Sequence, residues 1–360
     1  MNNKIAIIGS GYCGLAAATR LVAKGYDISI FESSDKVGGL AGGYDFHNHD
    51  WSMEKFYHHW FKSEKSIKEI CSRLNISNQI DFYSTKTSFL HSDGIKPFDK
   101  PTDILIYPGL SLIDRYKLCK SLAEIKLKKN WIDFDKITAE EWIKSNMGKN
   151  VYERLWKPML IGKWGEEYNQ INMAWFWARI HVRTKTLMYP RGGFQTFNNL
   201  VKERLKSLGV KFFFNTRVKK LKFENNKYKI TREQRNFDSV LLTVSPSILK
   251  ELFMDENDKY IREINKISTI GAICMIIRLK RKVLKNSYWL NIPSVSTNPL
   301  SNKVPFLIFV EHTNLINPSY YNNEHIIYCA NYLKKESELY NMGNEQIFEL
   351  YLNGINVINP

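Results

Sequence analysis

Three glycines near the amino terminus form the pattern with the clearest chemical meaning in this chain. Gly9, Gly11 and Gly14 follow a short apolar run at residues 4–8. In a strand–turn–helix unit, the first glycine permits the tight turn, the second lets the backbone approach a pyrophosphate, and the third lets the helix pack on the sheet. The spacing therefore predicts a dinucleotide-binding βαβ unit.

Residues that could bind the phosphates and the ribose occur at the expected sequence spacing from these glycines. Tyr12 and Cys13 lie in the turn before a helix predicted from about Leu15 to Lys24, whose first amides and positive end favour an anion. Glu32 ends the second predicted strand, where an acid accepts hydrogen bonds from a ribose 2′-hydroxyl and repels a 2′-phosphate. NADP is therefore disfavoured. The alternative is a glycine-rich turn that holds no ligand.

A second glycine cluster favours FAD over NAD. It occupies residues 36–43, directly after the second strand, and includes Gly38 and Gly39. FAD is an extended cofactor, and its ribityl chain and flavin need clearance that glycines provide. A flexible loop is the alternative interpretation.

An aromatic string at residues 51–61 contains two candidate general bases, His58 and His59. A histidine titrates near neutral pH and can exchange protons with a substrate. On a helix, adjacent residues point about 100° apart, so one histidine would face inward and the other outward. No neighbouring cluster completes a metal site. Aromatic packing with surface histidines is the alternative.

A second string supplies candidate cationic groups. Trp175, Arg179 and Arg183 are four residues apart, so one helix face would present all three. An aromatic and cationic face suits an apolar substrate that carries an anionic group. The alternative is a core helix whose arginines reach out to solvent.

The elements that must position these groups predict an α/β fold. Residues 4–32 give the βαβ unit, residues 51–185 are expected to be mainly helical, and residues 270–334 contain four short strands typical of an antiparallel sheet. The prediction is a Rossmann-type FAD-binding domain interleaved with a mixed α+β substrate domain of antiparallel sheet plus helices. The predicted ranges are 1–50 and 186–246 for the FAD-binding domain, and 51–185 and 247–360 for the substrate domain.

The glycine motifs resemble those of the superfamily of flavin amine oxidases, protoporphyrinogen oxidases and phytoene desaturases. Asp35, Gly38 and Gly39 match its Asp-x-x-Gly-Gly motif. Leu40, directly after the glycine pair, is more similar to the desaturase and protoporphyrinogen oxidase branches than to many amine oxidases. Residues 189–194 resemble the family's Pro-x-Gly-Gly segment, which precedes a helix beside the active site.

Two later segments extend the resemblance. Residues 216–218 resemble the strand whose valine, Val218 here, touches the adenine end of FAD. Residues 238–246 resemble the return strand into the nucleotide domain, and Thr243 is assigned to the cofactor on that basis. The family's Gly-Asp-containing segment beneath the flavin has no match before Pro360. The expectation is therefore a truncated or divergent family member.

The resemblance implies an FAD-dependent oxidoreductase that takes a hydride from an apolar, isoprenoid-like or amine substrate. Two alternatives stay open. One is a non-redox flavin enzyme such as a sugar-nucleotide mutase, in which Arg179 and Arg183 would grip a pyrophosphate. The other is a truncated, non-catalytic protein with the FAD fold.

Composition narrows the partners and the location. The 360 residues carry a formal net charge of +16, but the lysines form no compact stripe, so no nucleic-acid partner is predicted. Five cysteines without a CxxC pair favour a reducing cytoplasm over disulfides or zinc. The helix predicted over residues 110–129 has an apolar face and a basic face. It either packs on its own domain or rests peripherally on an anionic membrane.

Overall fold

The structure is a computed structural model that describes residues 3–46, 49–230, 235–252 and 259–359. Its strands, in chain order, are β1 Lys4–Ile8, β2 Asp27–Phe31, β3 Gly43–Tyr44, β4 Met53–Glu54, β5 Trp60–Phe61, β6 Ile80–Ser84, β7 Thr87–His91, β8 Gly94–Pro97, β9 Thr186–Pro190, β10 Lys211–Phe213, β11 Leu221–Glu224, β12 Lys227–Ile230, β13 Asn236–Phe237, β14 Ser239–Leu242, β15 Gly271–Leu279, β16 Trp289–Asn291, β17 Ile308–Glu311 and β18 His325–Leu333. Its α-helices are α1 Tyr12–Val22, α2 Lys65–Arg73, α3 Pro101–Leu105, α4 Leu112–Leu127, α5 Ala139–Asn146, α6 Lys149–Val151, α7 Lys157–Trp164, α8 Met173–His181, α9 Gly193–Ser207, α10 Pro246–Leu252, α11 Lys259–Asn265 and α12 Asn344–Ile358.

The chain divides into two compact units, and each is discontinuous in sequence. The first comprises Met1–His58, Glu64–Asp81 and Tyr189–Thr269, and the second comprises His59–Ser63, Phe82–Met188 and Ile270–Pro360. The interleaving follows the predicted pattern, but the boundaries differ from the predicted 1–50 and 186–246. The first unit also takes in α2, because that helix packs on α1.

A parallel sheet forms the centre of the first unit, with strand order β10-β2-β1-β14. β1 pairs with β2 from Lys4–Asp27 to Ile8–Phe31, and with β14 from Ile5–Ser239 to Ile8–Leu242. Ile5 to Ile8 are all buried, as expected for a parallel strand covered on both faces. This sheet aligns the carboxyl ends of β1 and β2, where the glycine turn and Glu32 follow.

The first unit also contains a small antiparallel sheet, β11-β12-β13, and the two-stranded antiparallel pair β3-β4. β11 and β12 form a hairpin around Asn225 and Asn226, both with positive φ. The ring of Phe31 stacks on that of Phe213 at 4.9 Å and joins the core beneath these strands.

The second unit contains a six-stranded sheet with the order β15-β18-β17-β16-β7-β8. Its pairs are antiparallel except for β16 with β7, which is parallel. The four strands predicted between residues 270 and 334 are therefore confirmed. α12 supplies Tyr351, Ile355 and Ile358 to the core on this sheet. A separate, largely helical core is formed by α4 to α8 and the short 3-10 and π-helical turns between them.

Residues 51–185 contain more strand than expected. β7 and β8 form a hairpin whose turn includes Ser92 and Asp93, followed by Gly94 with a φ of +114°. A glycine with positive φ beside polar turn residues is typical of a tight hairpin, so the sequence carried this signal. Across the described ranges, every helix is too short or too polar to cross a lipid bilayer.

Candidate functional site

The turn between β1 and α1 is so tight that two of its glycines have no room for a side chain. Gly9 has a φ of +103°, a conformation that favours glycine. A Cβ on Gly14 would lie 2.1 Å from the carbonyl oxygen of Gly9. On the other side, Thr243 Oγ1 donates a hydrogen bond to the Ile8 carbonyl at 2.8 Å. The protein's own packing therefore requires glycine at positions 9 and 14.

Gly11 differs from its two neighbours in the motif. Its φ of −69° suits any residue. A Cβ at this position would have its nearest neighbour, the Cα of Gly39, at 3.9 Å, which is an ordinary van der Waals contact. The fold alone therefore does not explain a glycine at position 11. A ligand that approaches the backbone there does explain it.

The first turn of α1 presents its amides without a competing side chain. Gly11 is the N-cap, and within the described residues no side chain caps this helix end and no acid lies in the first turn. The first amides of a helix have no partner inside the helix. Tyr12 is half-buried and Cys13 is exposed. Together with the helix dipole, this turn suits a phosphate group.

The second glycine segment lies directly against the first. The Gly38 amide donates to the Ser10 carbonyl at 3.0 Å, and Gly38 forms an isolated parallel bridge with Gly11. A Cβ on Gly39 would lie 3.2 Å from the Cα of Gly11. The two backbones thus meet with only hydrogen atoms between them. We call this arrangement the cofactor cradle; its residues are Gly9, Gly11, Tyr12, Cys13, Gly14, Glu32, Gly38 and Gly39.

Glu32 is buried at the end of β2 and fully hydrogen-bonded. One carboxylate oxygen accepts from the amide and hydroxyl of Ser10, both at 2.8 Å, and the other accepts from the amide and hydroxyl of Ser34. Burial raises the pKa of Glu32, but the hydrogen bonds from Ser34 and Ser10 outweigh burial and hold the pKa below its ordinary value. The group is an ionised acceptor, and ribose hydroxyls could replace the serine hydroxyls on it.

Leu40 and Val218 occupy different environments. Leu40 is 92% exposed in a short 3-10 turn over Gly39–Ala41. Val218 is buried in the core beneath the parallel sheet. It lies in an irregular segment before β11, so the strand that the resemblance implied at residues 216–218 is not formed there. The Thr216 amide donates instead to the Glu32 carbonyl at 2.8 Å, which fixes this segment beside the end of β2.

Two buried polar residues of α9 were missed by the sequence analysis. Gln195 Oε1 accepts from the Gly43 amide at 3.0 Å, and Asn198 Nδ2 donates to the Ala41 carbonyl at 2.9 Å. A Cβ on Gly38 would lie 2.2 Å from that same Nδ2. These amides hold the second glycine segment in place. The sequence did contain a signal for them, because the two polar residues are three apart on the apolar face of a helix that follows a Gly-Gly pair.

His58 lies in an extended segment between β4 and β5, so the expectation of a helix there is wrong. Its ring packs on Phe194 of α9 at 5.5 Å, and its Nδ1 hydrogen-bonds the Phe56 carbonyl. Burial lowers the pKa of His58 below its ordinary value. The same region buries Glu54, which accepts hydrogen bonds from the Tyr189 hydroxyl and the Phe194 amide.

His59 belongs to the second unit, whereas His58 belongs to the first. Its Nδ1 lies 3.0 Å from the Tyr288 hydroxyl, and its ring meets Trp289 edge-on. The two histidines therefore diverge because the strand-like backbone sends neighbours to opposite sides. Groups of three or more residues able to hold a metal ion are absent from the part of the chain that the structure describes.

The predicted alignment of Trp175, Arg179 and Arg183 holds only for the first two. The Arg179 guanidinium lies 5.8 Å from the Trp175 ring centroid on α8. α8 ends at His181, so Arg183 is not on the helix, and it donates to Thr87 Oγ1 at 2.9 Å. The expected single face with three residues is wrong, because the chain leaves the helix to enter β9.

Lys163 was also missed, and it is the most perturbed cation of this region. Its ammonium lies 3.3 Å from the Tyr332 ring centroid. Burial, and secondarily the charge of Arg179, lowers the pKa of Lys163 to about 7. Among the ion pairs of the described residues, none includes Lys163 or Arg179. We call Lys163, Arg179, Trp164, Trp175 and Tyr332 the cationic cluster.

Comparison with known proteins identifies the family. The sequence model for flavin containing amine oxidoreductases matches residues 12–354. The chain belongs to this family. Membership confirms the predicted flavin cofactor and the predicted fold class. It also confirms the resemblance stated from the glycine motifs.

Individual relatives and solved structures are similar to this chain. The 1-hydroxycarotenoid 3,4-desaturase of Flavobacterium sp. (strain P99-3) is 27% identical over 274 residues, which are 66% of this chain and 55% of the desaturase. This chain thus matches little more than half the length of that relative. An oxidoreductase from Methanosarcina mazei superposes with a TM-score of 0.77 at 16% identity, covering 99% of this chain and 85% of that one. Cyclohexylamine oxidase from Brevibacterium oxydans IH-35A gives 0.72 at 11% identity, covering 100% and 82%.

The cofactor cradle fits the flavin dinucleotide that this family implies. The unexplained glycine at position 11 leaves space for the pyrophosphate, and the amides of Tyr12 and Cys13 would hold it. Glu32 would hold the ribose through its ionised carboxylate.

Proposed function

We propose that this chain is an FAD-dependent oxidoreductase that takes a hydride from an apolar, isoprenoid-like or amine substrate. The observation that carries the proposal is Gly11, a glycine that only a ligand explains, within a cradle that supplies phosphate and ribose partners. Bound FAD supplies the acceptor for two electrons and one hydrogen. One substrate C–H bond gives up its hydrogen as a hydride, the adjacent C–H or N–H bond loses a proton to the protein, and a C=C or C=N bond forms between the two atoms. Oxygen, a quinone or a second substrate later removes the two electrons.

In this proposal His58 accepts the proton that leaves the substrate. Its Nδ1 faces a carbonyl oxygen, an acceptor only, so Nδ1 carries the hydrogen. The lowered pKa keeps the ring neutral near pH 7, which leaves Nε2 unprotonated. An unprotonated nitrogen on a packed ring is a suitable general base. His59, bonded to Tyr288, is the second candidate.

We also propose that the cationic cluster holds an anionic group of a largely apolar substrate. Lys163 and Arg179 lie on aromatic rings and lack carboxylate partners among the described residues. Unpaired cations in such a setting are costly and favour an external anion. Arg183 is a weaker candidate for this anion, because its guanidinium already donates a hydrogen bond to Thr87 Oγ1. The aromatic surroundings and the carotenoid desaturase relative support a lipophilic substrate class.

The test is anaerobic titration of the FAD-loaded protein with a polyene, a long-chain amine and a porphyrinogen. One class is expected to bleach the visible absorbance of the flavin, and oxygen or a quinone to restore it. Protein that retains no visible flavin absorbance after incubation with FAD would overturn the proposal. Conversion of a substrate only on reduced flavin, with no net oxidation, would instead favour the mutase-like alternative.

The proposal places this reaction in the cytoplasm. Cys71 and Cys329 are buried as free thiols, and Cys13, Cys119 and Cys274 are also unpaired. Free thiols on a chain of this kind fit a reducing compartment. Fractionation of cells that express a tagged chain checks this location.

A further inference from the structure

Two lysines on α7 have opposite electrostatic environments. Lys157 begins the helix, and Lys163 lies next to its last residue. The Lys157 ammonium forms an ion pair with the Glu153 carboxylate at 2.8 Å. Lys163 forms no ion pair with any residue that the structure describes. One short helix therefore presents an ordinary surface lysine and a lysine that lacks a counter-ion.

The acids close to Lys163 in the sequence neutralise a different lysine. Glu166 and Glu167 follow directly after α7. Both pair with Lys334, whose Nζ lies 3.6 Å from a carboxylate oxygen of Glu166 and 3.1 Å from one of Glu167. The missing counter-ion at Lys163 is thus a result of how the fold assigns these carboxylates, and not of a sequence poor in acids.

The position of Lys163 is fixed by the packing of α7 on the six-stranded sheet. A Cβ on the preceding residue, Gly162, would lie 2.4 Å from Leu307 Cδ1, so the helix and the sheet are in close contact there. The Lys163 ammonium lies 3.3 Å from the ring centroid of Tyr332 on β18. Lys163 is half-buried, so its amine is desolvated on one side and can be reached from the other.

These surroundings disfavour the charged form of the amine. The Tyr332 ring attracts an ammonium. Burial and the charge of Arg179 oppose it and hold the pKa of Lys163 at about 7. At pH 7 about half of such amines are unprotonated, against about one in 2,500 for an ordinary lysine. Desolvation and a neighbouring cation are the two features that activate lysine amines towards carbonyl compounds.

We propose that Lys163 is a covalent capture site for apolar aldehydes, which it binds as a Schiff base. The lone pair of Nζ attacks the carbonyl carbon, and the two amine hydrogens leave with the carbonyl oxygen as water. A C=N double bond replaces the C=O bond, with no oxidant or reductant. The rings of Tyr332 and Trp175, which lie against Lys163 and Arg179, favour an aldehyde with an apolar body. This site goes beyond the proposed function, since the reaction requires no flavin.

The experiment is reductive trapping on the full chain without added FAD. Octanal and cyanoborohydride convert each Schiff base to a stable secondary amine, and peptide mass mapping locates it. At pH 7 alkylation of Lys163 is expected to be at least about tenfold faster than that of Lys157. Lys157 is the matched control in the same sample, because the hydrogen bond from Glu153 raises its pKa.

The pH and the aldehyde then test the cause of the reactivity. Between pH 7 and about 9.5 the ratio of Lys163 to Lys157 alkylation is expected to fall, because Lys157 gains unprotonated amine while Lys163 is already largely unprotonated. Acetaldehyde, which lacks the apolar chain, is expected to give a smaller ratio than octanal at pH 7. Lys163→Arg is expected to lose the fast label and to keep the slow label on Lys157.

Equal alkylation of Lys163 and Lys157 at pH 7 would overturn the proposal, as would a ratio that does not change with pH. A ratio as large with acetaldehyde as with octanal would overturn the apolar class of ligand. These outcomes are separate from those of the flavin titration. Protein that binds no flavin can still be labelled, and protein that is not labelled can still have its flavin reduced.

Discussion

The cofactor cradle and the cationic cluster differ in what forms them. The cradle is made by backbone: Gly9, Gly11, Gly14, Gly38 and Gly39 work through the side chains they lack. The cationic cluster is made by side chains: Lys163 lies on Tyr332, and Arg179 lies on Trp175. On the proposed function, the first region would recognise a diphosphate through fixed amides, and the second would present its charges to an anionic group of the substrate.

This difference separates a region that tolerates little substitution from one that tolerates more. A backbone cradle tolerates no change without losing its ligand or its fold, so it fixes the cofactor class. A side-chain cluster can exchange one cation or ring for another while the fold survives. On the proposed function, substrate choice would therefore depend on the side chains of the cationic cluster.

The largest expected effect separates two glycines of the same motif. Gly11→Ala is expected to reduce FAD affinity more than about 100-fold while the protein without cofactor melts as wild type does, since a Cβ there meets only Gly39 at 3.9 Å. Gly14→Ala is expected to unfold the first unit, because its Cβ would lie 2.1 Å from the Gly9 carbonyl oxygen. Fluorescence titration with FAD and thermal melts measure both. Normal FAD affinity in Gly11→Ala would remove the central support for the proposed function.

The next effect concerns chemistry rather than binding. His58→Gln is expected to slow anaerobic flavin reduction by about 100-fold or more, the range for loss of a general base. The pKa of His58 is depressed, so the wild-type rate should persist below pH 6.5 and fall only at lower pH, and the variant should lack that acid limb. FAD content should not change.

His59→Gln is the matched control for His58→Gln, because it alters the adjacent histidine, which belongs to the second unit. Equal slowing in both variants, or an unaltered pH profile in His58→Gln, would contradict a role specific to His58.

A smaller effect tests the ribose partner of the cradle. Glu32→Ala is expected to weaken FAD binding by about 1–3 kcal/mol, the cost of removing a charged acceptor from buried hydrogen-bonded groups. Ser33→Ala, which removes only a hydroxyl contact at 3.2 Å, serves as the control. An unchanged dissociation constant for FAD in Glu32→Ala would count against its assignment.

The smallest effect tests the cationic cluster. Burial depresses the pKa of Lys163 to about 7, so between pH 7 and about 10 the unfolded chain binds a proton that the folded chain refuses. The resulting loss of stability is complete near pH 7 and disappears as the pH rises above about 10.5. Lys163→Met should therefore stabilise the protein at pH 7 by about 1 kcal/mol after screening, and not at high pH. Melting temperatures of both proteins across this pH range measure the effect. A Lys163→Met variant less stable than wild type at pH 7 would show that Lys163 does have a stabilising partner.

The cradle could be predicted because its determinants are local. Gly9, Gly11 and Gly14 act within six residues of each other, and Glu32 follows at the end of the next strand. The amides of Gln195 and Asn198 could not be assigned to the second glycine segment, because about 155 residues of chain separate them from it. Secondary-structure propensities describe local preferences and carry no information about contacts between residues so far apart in the chain.

The catalytic candidates were harder to place for a related reason. His58 and His59 lie in an aromatic string that is compatible with a helix, but β5 pairs with β9 about 130 residues later and makes the segment extended. On α4, periodicity marked the apolar residues correctly but not which of them face the core. That choice depends on the helices that pack against α4, chiefly α8 and α3.

The exposed thiol of Cys13 offers a way to measure whether the cradle holds its cofactor. Its thiol is exposed in the first turn of α1, while those of Cys71 and Cys329 are buried. A maleimide probe should alkylate this position readily in the cofactor-free protein, and bound dinucleotide should shield it. Labelling kinetics followed by peptide mass mapping would then read occupancy directly, even in a variant that turns over no substrate.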